Sequence, residues 1–237
     1  MKAGERVVLI TGATGGLGRA VARSFAATGD RLALNGRDQA RIDDLAASAG
    51  LIAERWMPVV ADLRDRDQAR AAAAAVEDRF GRIDVLLHLV GGWVGGVAVA
   101  DLDHDELRSM LDQHLWSTLN VVQAAVPGMV ERGWGRVIAV SSPLAMRPGP
   151  RGASYAVGKA AEETLLGTLA REVAGSGVTV NTVTVRTIDV DHLRETDPTP
   201  KNASHTTPEE ATASIQFLAS DDAAAINGAR LPLYGRG

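Results

Sequence analysis

Short runs of β-branched and aliphatic residues alternate along this chain with longer Ala/Leu/Arg-rich segments of helical period. Val7–Ile10 reads as a strand and Gly16–Ala27 as a helix. Arg31–Leu34 then predicts a strand and Gln39–Ala49 a helix, followed by the strand Trp56–Val60 and the Ala-rich helix Asp65–Phe80. The strand Val85–Val90 precedes one long helix over Asp103–Glu131. The strand Arg136–Val140, the helix Ser154–Ala174, the strand Val178–Val185, the helix Pro208–Ala219 and a last short strand Ala229–Leu233 complete the pattern. Strict alternation predicts an α/β fold with a parallel sheet and helices on both faces. Right-handed crossovers leave a doubly wound sheet of about seven strands as the expected topology, in one domain spanning 1–237.

Several boundaries have local causes. Gly29 and Gly50 fall where helices should stop, because glycine takes the left-handed position after a helix end without penalty. Thr207-Pro208-Glu209-Glu210 reads as a helix start, with Thr as N-cap, Pro in the first turn and acids at the positive dipole end. Pro127 should kink or end the long helix. Residues 189–206 contain Pro198, Pro200, Asn202 and Ser204 without a clear period and read as a mobile loop.

Composition narrows the class. The chain has 237 residues, 46% of them hydrophobic and 23% charged, which suits one large domain with a core that needs no staple. Cysteine is absent, which excludes disulfides and thiolate chemistry and agrees with a cytoplasmic setting. No metal-binding cluster is expected. A net charge of −4 and the lack of a basic stripe argue against a nucleic-acid partner. The apolar run Val7–Ile10 is too short for a signal-peptide core. Val85–Ala100, which holds His88 and four glycines, is shorter than a membrane helix requires. Lysine occurs only at Lys2, Lys159 and Lys201, so an internal lysine stands out against a background of arginine.

Three clusters carry chemistry. Thr11-Gly12-Ala13-Thr14-Gly15-Gly16-Leu17-Gly18 follows a strand and opens a helix. Glycines there permit a tight turn and close approach of a pyrophosphate to the helix N-terminus; a plain strand-to-helix turn is the bland alternative. The second strand ends in Asn35-Gly36-Arg37, with no acid to hold a ribose 2′-hydroxyl. The Arg37 guanidinium suits a 2′-phosphate, unless it only decorates a turn, and Asp38 beside it could weaken or orient it. Tyr155 and Lys159, four apart on a predicted helix, share one face. Ser142 lies 13 positions before Tyr155 at the end of a strand, where ligands of such sheets bind. A hydroxyl, a phenol and an ammonium together make a proton-transfer device, because the cation stabilises the phenolate.

With these motifs the chain resembles the short-chain dehydrogenase/reductase family over nearly its whole length: Thr11–Gly18 for the TGxxxGxG turn, Asp62-Leu63 after the third strand, and Ser142, Tyr155 and Lys159 for Ser…YxxxK. The resemblance implies a Rossmann-type fold, a nicotinamide cofactor and catalysis by Ser142, Tyr155 and Lys159. It implies cofactor contacts at Gly12, Thr14, Gly15, Gly16, Leu17, Gly18, Arg37, Val90 and Gly91. By the same resemblance Asp62 would meet the adenine with Leu63 beside it, Lys159 would also bind the nicotinamide ribose, and Ile188 would lie near the carboxamide. It further implies a dimer contact made by the long helix and the Tyr155 helix within a homotetramer.

The departures are as informative. His88-Leu89-Val90-Gly91 stands where the family usually has Asn-Asn-Ala-Gly, and His88 reads first as a satisfied structural histidine. His114 stands where the family places an asparagine that holds a relay water for the lysine; imidazole would replace that link or break it. Val185-Arg186 replaces a Pro-Gly pair. Gly15 lacks the basic side chain that often reinforces NADP binding, so that expectation rests mainly on Arg37. The reading that follows is an NADP(H)-dependent carbonyl reductase or alcohol dehydrogenase acting on a small molecule, NAD(H) being less favoured. Trp93, Leu144 and Met146 are the candidate substrate contacts. The departures keep a catalytically weak NADP(H)-binding sensor or assembly protein as the alternative; a lyase or epimerase on the same scaffold has no supporting residue.

Overall fold

A computed structural model describes residues 4–235. Seven strands form one parallel sheet: β1 (Val7–Thr11), β2 (Arg31–Gly36), β3 (Trp56–Val60), β4 (Val85–His88), β5 (Gly135–Ser141), β6 (Val178–Val185) and β7 (Arg230–Leu233). Their order is β3-β2-β1-β4-β5-β6-β7, so the winding reverses between β1 and β4, and a crevice opens there at the carboxyl ends of the strands. The central strands β1, β4 and β6 are buried at every residue, which explains why they read as continuous apolar runs rather than alternating ones.

The two-residue period of a strand divides the core. Val7 and Leu9 of β1 join the cluster under α3 (Arg66–Phe80), α5 (Ser117–Glu131) and α6 (Ala153–Glu172). Val8 and Ile10 join the opposite cluster under α1 (Gly16–Ala27), α2 (Gln39–Ser48) and α8 (Pro208–Leu218). Gly29 and Gly50 follow α1 and α2 with φ of +81° and +63°, and Thr207 makes a complete capping box with Glu210 at the start of α8. Asn181 on β6 donates to Ile226 O and accepts from Ala229 N, which sets the entry to β7.

Two expectations need correction. The fourth strand stops at His88, before Val90, and its last ladder bond runs from Leu89 N–H, one residue on, to Thr11 O. The long helix is not continuous: α4 (His104–Leu111) passes into α5 through a π-helical turn at Asp112–Trp116, where Ser117 N–H bonds to Asp112 O five residues back. Ser117 and Thr118 direct their hydroxyls to the carbonyls of Gln113 and His114, each at 2.5 Å, and such back-bonding competes with the regular ladder. Pro127 lies inside α5, which ends four residues later at Glu131, with Val126 and Met129 anchored in the core. Residues 189–206 carry local order that their composition hides. Ile188 bridges Thr206, and the Asp189 carboxylate accepts the N–H groups of Leu193 and Arg194 at the start of the short helix α7 (Leu193–Thr196). Arg194 grips Glu210 through two bonds of 2.8 Å.

Candidate active site

Two adjoining hollows of about 290 and 350 Å³ share Gly12, Gly15, Leu89, Val90 and Gly91 and form one groove across the winding reversal. The glycine turn is its floor. Gly12 has φ +64°, and a Cβ there would lie 2.8 Å from Leu89 O; at Gly18 it would lie 2.5 Å from Ala13 O. Backbone therefore passes backbone too closely for any side chain. Gly15 caps α1 with no side-chain bond, so the first N–H groups of the helix keep their donors free, as an anion site requires. Asn35 steadies the neighbouring strand ends through bonds to Val59 O (3.0 Å) and Ala61 O (3.2 Å).

The half of the groove toward β2 and β3 is lined by Thr14, Gly36, Arg37, Asp62 and Leu63, all named from sequence, and by Arg41 and Arg64, which were not. Arg41 reaches Thr14 O at 3.4 Å. Asp38 accepts Arg41 N–H as the N-cap of α2, so its carboxylate serves the helix. The Arg64 guanidinium, hydrogen-bonded to both Asp62 oxygens, holds the Asp62 carboxyl below the usual carboxylate range. Spacing offered a signal for both missed arginines: Arg41 follows Arg37 by four residues in the first turn of α2, and Arg64 lies two residues from Asp62.

The half toward β5 and β6 brings together Gly16, Leu17, Gly18, Val90, Gly91, Trp93, Tyr155, Lys159, Arg186 and Ile188. Arg186 lies over the Tyr234 ring at 5.2 Å. Ser142 is buried beside this half, and its Oγ accepts Leu144 N–H at 3.3 Å in the turn Pro143–Ala145. Leu144 and Met146 lie at that turn, beside the groove, and Trp93 lines the groove itself.

Lys159 is 4% exposed. Its ammonium donates to Val140 O at 2.7 Å and to Glu162 at 2.6 Å. Glu162, fully buried, was missed from sequence, although it lies one turn beyond the lysine on the same helix. His114 does not bond to Lys159 directly. Its Nε2 faces Gly92 O at 3.1 Å, so Nε2 carries the proton and Nδ1 keeps a buried lone pair without a partner. The ring meets Tyr155 edge-to-face at 5.4 Å. Gly158 makes room for it, since a Cβ there would sit 3.0 Å from the imidazole. His88 is satisfied on both sides, by Thr11 Oγ1 at 2.9 Å and Ser117 Oγ at 3.4 Å. Because the Ser117 hydroxyl donates to Gln113 O, His88 Nε2 donates to Ser117 and Nδ1 accepts from Thr11. Burial, reinforced by the Lys159 charge, pushes both histidines down to about 3, so both are neutral at physiological pH.

A glycine-floored groove at the winding reversal of a parallel sheet is the architecture of a dinucleotide-binding α/β protein, and here a phenol and an ammonium line one half of it. The chain belongs to the short-chain dehydrogenase/reductase family: residues 6–201 match the family model described as short chain dehydrogenase. It is 29% identical to a 3-oxoacyl-acyl-carrier-protein reductase of Thermotoga maritima, over 99% of this chain and 98% of that one. It is 33% identical to a D-threitol dehydrogenase of Mycolicibacterium smegmatis, over 97% of this chain and 92% of the relative. Among solved structures, levodione reductase superposes with a TM-score of 0.87 at 28% identity, covering 98% of this chain and 96% of that chain. Membership makes the protein an oxidoreductase that uses a nicotinamide cofactor. No helix among the described residues is long and apolar enough to cross a membrane, and no metal-holding cluster of His, Asp or Glu occurs among them.

Proposed function

We propose that this protein is an NADP(H)-dependent oxidoreductase that moves hydride between the nicotinamide and a small carbonyl or alcohol substrate, with Tyr155 as general acid or base. The observation that carries the reading is that Tyr155 and Lys159 line the same hollow as the glycine turn, one helical turn apart. When bound, the cofactor supplies or accepts the hydride. The free N–H groups at the start of α1 and the close-approach glycines Gly12 and Gly18 fit its diphosphate. Arg37, with Arg41 and Arg64 beside it, supports a 2′-phosphate, and Asp62 and Leu63 line the same half.

In this reading Tyr155 gives the proton to the substrate oxygen on reduction and takes it on oxidation. Lys159 has one ammonium N–H left after its bonds to Val140 and Glu162, and this N–H serves the phenolate or a ribose hydroxyl. Ser142 positions the substrate oxygen once its hydroxyl turns from the Leu144 amide. The free lone pair on His114 Nδ1 supports a water at that point of the relay. General acid catalysis of this kind contributes ~10²–10⁴-fold. Trp93 and Val190 give the reacting half an apolar wall.

Val157, Ala160, Ala161, Thr164 and Leu165 of α6 form an apolar outer face with Leu115. That face supports self-association through α6, as the resemblance implies. The functional test is loss of NADPH absorbance with a panel of ketones, quinones and aldehydes, and its reverse with secondary alcohols. Turnover on at least one member, faster with NADPH than with NADH, is expected. Tight NADPH binding with no turnover on any of them would refute the enzymatic reading.

A further inference from the structure

The strongest feature outside the proposed proton donor is a charge the sequence pattern did not reveal. Glu162 is fully buried and places Oε2 2.6 Å from the Lys159 ammonium, itself 4% exposed. Its second oxygen has only a 3.4 Å contact from Thr118, whose single hydroxyl hydrogen goes to His114 O at 2.5 Å. The carboxylate therefore bonds principally to the lysine. We propose that Glu162 is a positioning residue: it fixes the Lys159 ammonium against Val140 and supplies the buried counter-charge that keeps it ionised beside Tyr155. The proposal rests on the Tyr155–Lys159 chemistry given above but is tested without turnover.

A buried ammonium with no counter-ion releases its proton, and removing one member of a buried pair leaves the other uncompensated. Burial pushes the Glu162 carboxyl upward and the Lys159 charge opposes that push; Glu162 is the lysine's direct ion-pair partner. The remaining charged or titratable neighbours do not substitute for it. On α6 these are Tyr155 itself and Glu163, which pairs with Arg230 of β7 at 3.0 Å. The π-helical turn contributes His114 and β4 contributes His88, both neutral, and α4 contributes Glu106, whose carboxylate accepts the Ser154 hydroxyl. β5 contributes only the Val140 carbonyl.

The chain has two tyrosines, so Tyr234→Phe leaves Tyr155 as the only one, and its ionisation can be followed by ultraviolet tyrosinate absorbance on the full chain without added cofactor. On α6, Lys159 lies about 6 Å and Glu162 about 10 Å along the axis from Tyr155, so the nearer cation dominates. At an effective dielectric of ~20, losing both charges at these separations corresponds to a change of about one pH unit. In the Tyr234→Phe background, Glu162→Gln is expected to raise the midpoint of Tyr155 ionisation by about one pH unit, because the lysine gives up its charge. An unchanged or lower midpoint in a folded variant overturns the proposal. If Glu162→Gln does not fold, Glu162→Asp withdraws the carboxylate by one methylene; a smaller rise in the same direction is expected, and no rise overturns the proposal. A wild-type protein inactive on every substrate would sink the enzymatic reading, while the titration would still decide the role of Glu162.

Discussion

Acidification should destabilise this protein through two histidines before most carboxylates titrate. His88 and His114 are held neutral in the folded state, with values near about 3, against ~6.5 in an unfolded chain. Below pH ~6.5 the unfolded chain binds protons that the folded chain refuses. The stabilisation is thus complete above that pH and is lost as the pH falls toward 3. At pH ~5 each histidine has lost about 2 kcal/mol, or about 4 kcal/mol for the two. That is a large part of the ~5–15 kcal/mol typical of a folded domain. The assay is urea unfolding at pH ~7.5 and ~5 for the wild type, His88→Asn and His114→Asn. Each substitution should remove about 2 kcal/mol of the pH-dependent loss, whatever it does to stability at neutral pH. Glu162, whose carboxyl is pushed upward by burial, has the opposite sign and gains stability on acidification, but it is common to all three proteins. Equal losses in wild type and both variants would refute the buried-neutral assignment.

Other outcomes follow from the groove. Arg37→Asp should weaken NADPH binding by about 10-fold or more, the scale of a charged hydrogen bond, and raise relative affinity for NADH; fluorescence titration with an unaltered preference would count against the phosphate role. Gly12→Ala introduces a Cβ 2.8 Å from Leu89 O at a φ of +64°. It should lower stability by about 1–2 kcal/mol in thermal melts and abolish NADPH binding; normal binding would mean the turn has more room than its geometry implies. Gly158→Ala, aimed at the His114 ring and Met110 O at 3.0 Å, should reduce turnover more than cofactor affinity. Steady-state kinetics beside a binding titration separates the two, and unchanged kcat would show that the imidazole yields freely.

Much of this architecture was legible in the chain, and the gaps have physical causes. The apolar strands and the period of the helices reflect burial on both faces of the sheet, so α1, β3 and β6 were bounded correctly from pattern alone. The turn Thr11–Gly18 was recognisable because close backbone approach leaves only glycine. The π-helical turn was not, since side-chain back-bonds from Ser117 and Thr118 leave no mark on hydrophobic period. The order of 189–206 comes from Asp189, Arg194 and Glu210, polar contacts between segments that a local reading does not join. Glu162 lies unmarked inside the predicted helix Ser154–Ala174; its burial against Lys159 and Thr118 of α5 depends on packing that a local pattern does not carry.

The proposed catalysis turns on one hydroxyl group. Tyr155→Phe removes that oxygen and leaves the glycine turn, the arginines and Lys159 intact. Turnover with NADPH should fall by ~10²–10⁴-fold while the NADPH dissociation constant changes little. Turnover near the wild-type rate in that variant would contradict the assignment of the proton donor.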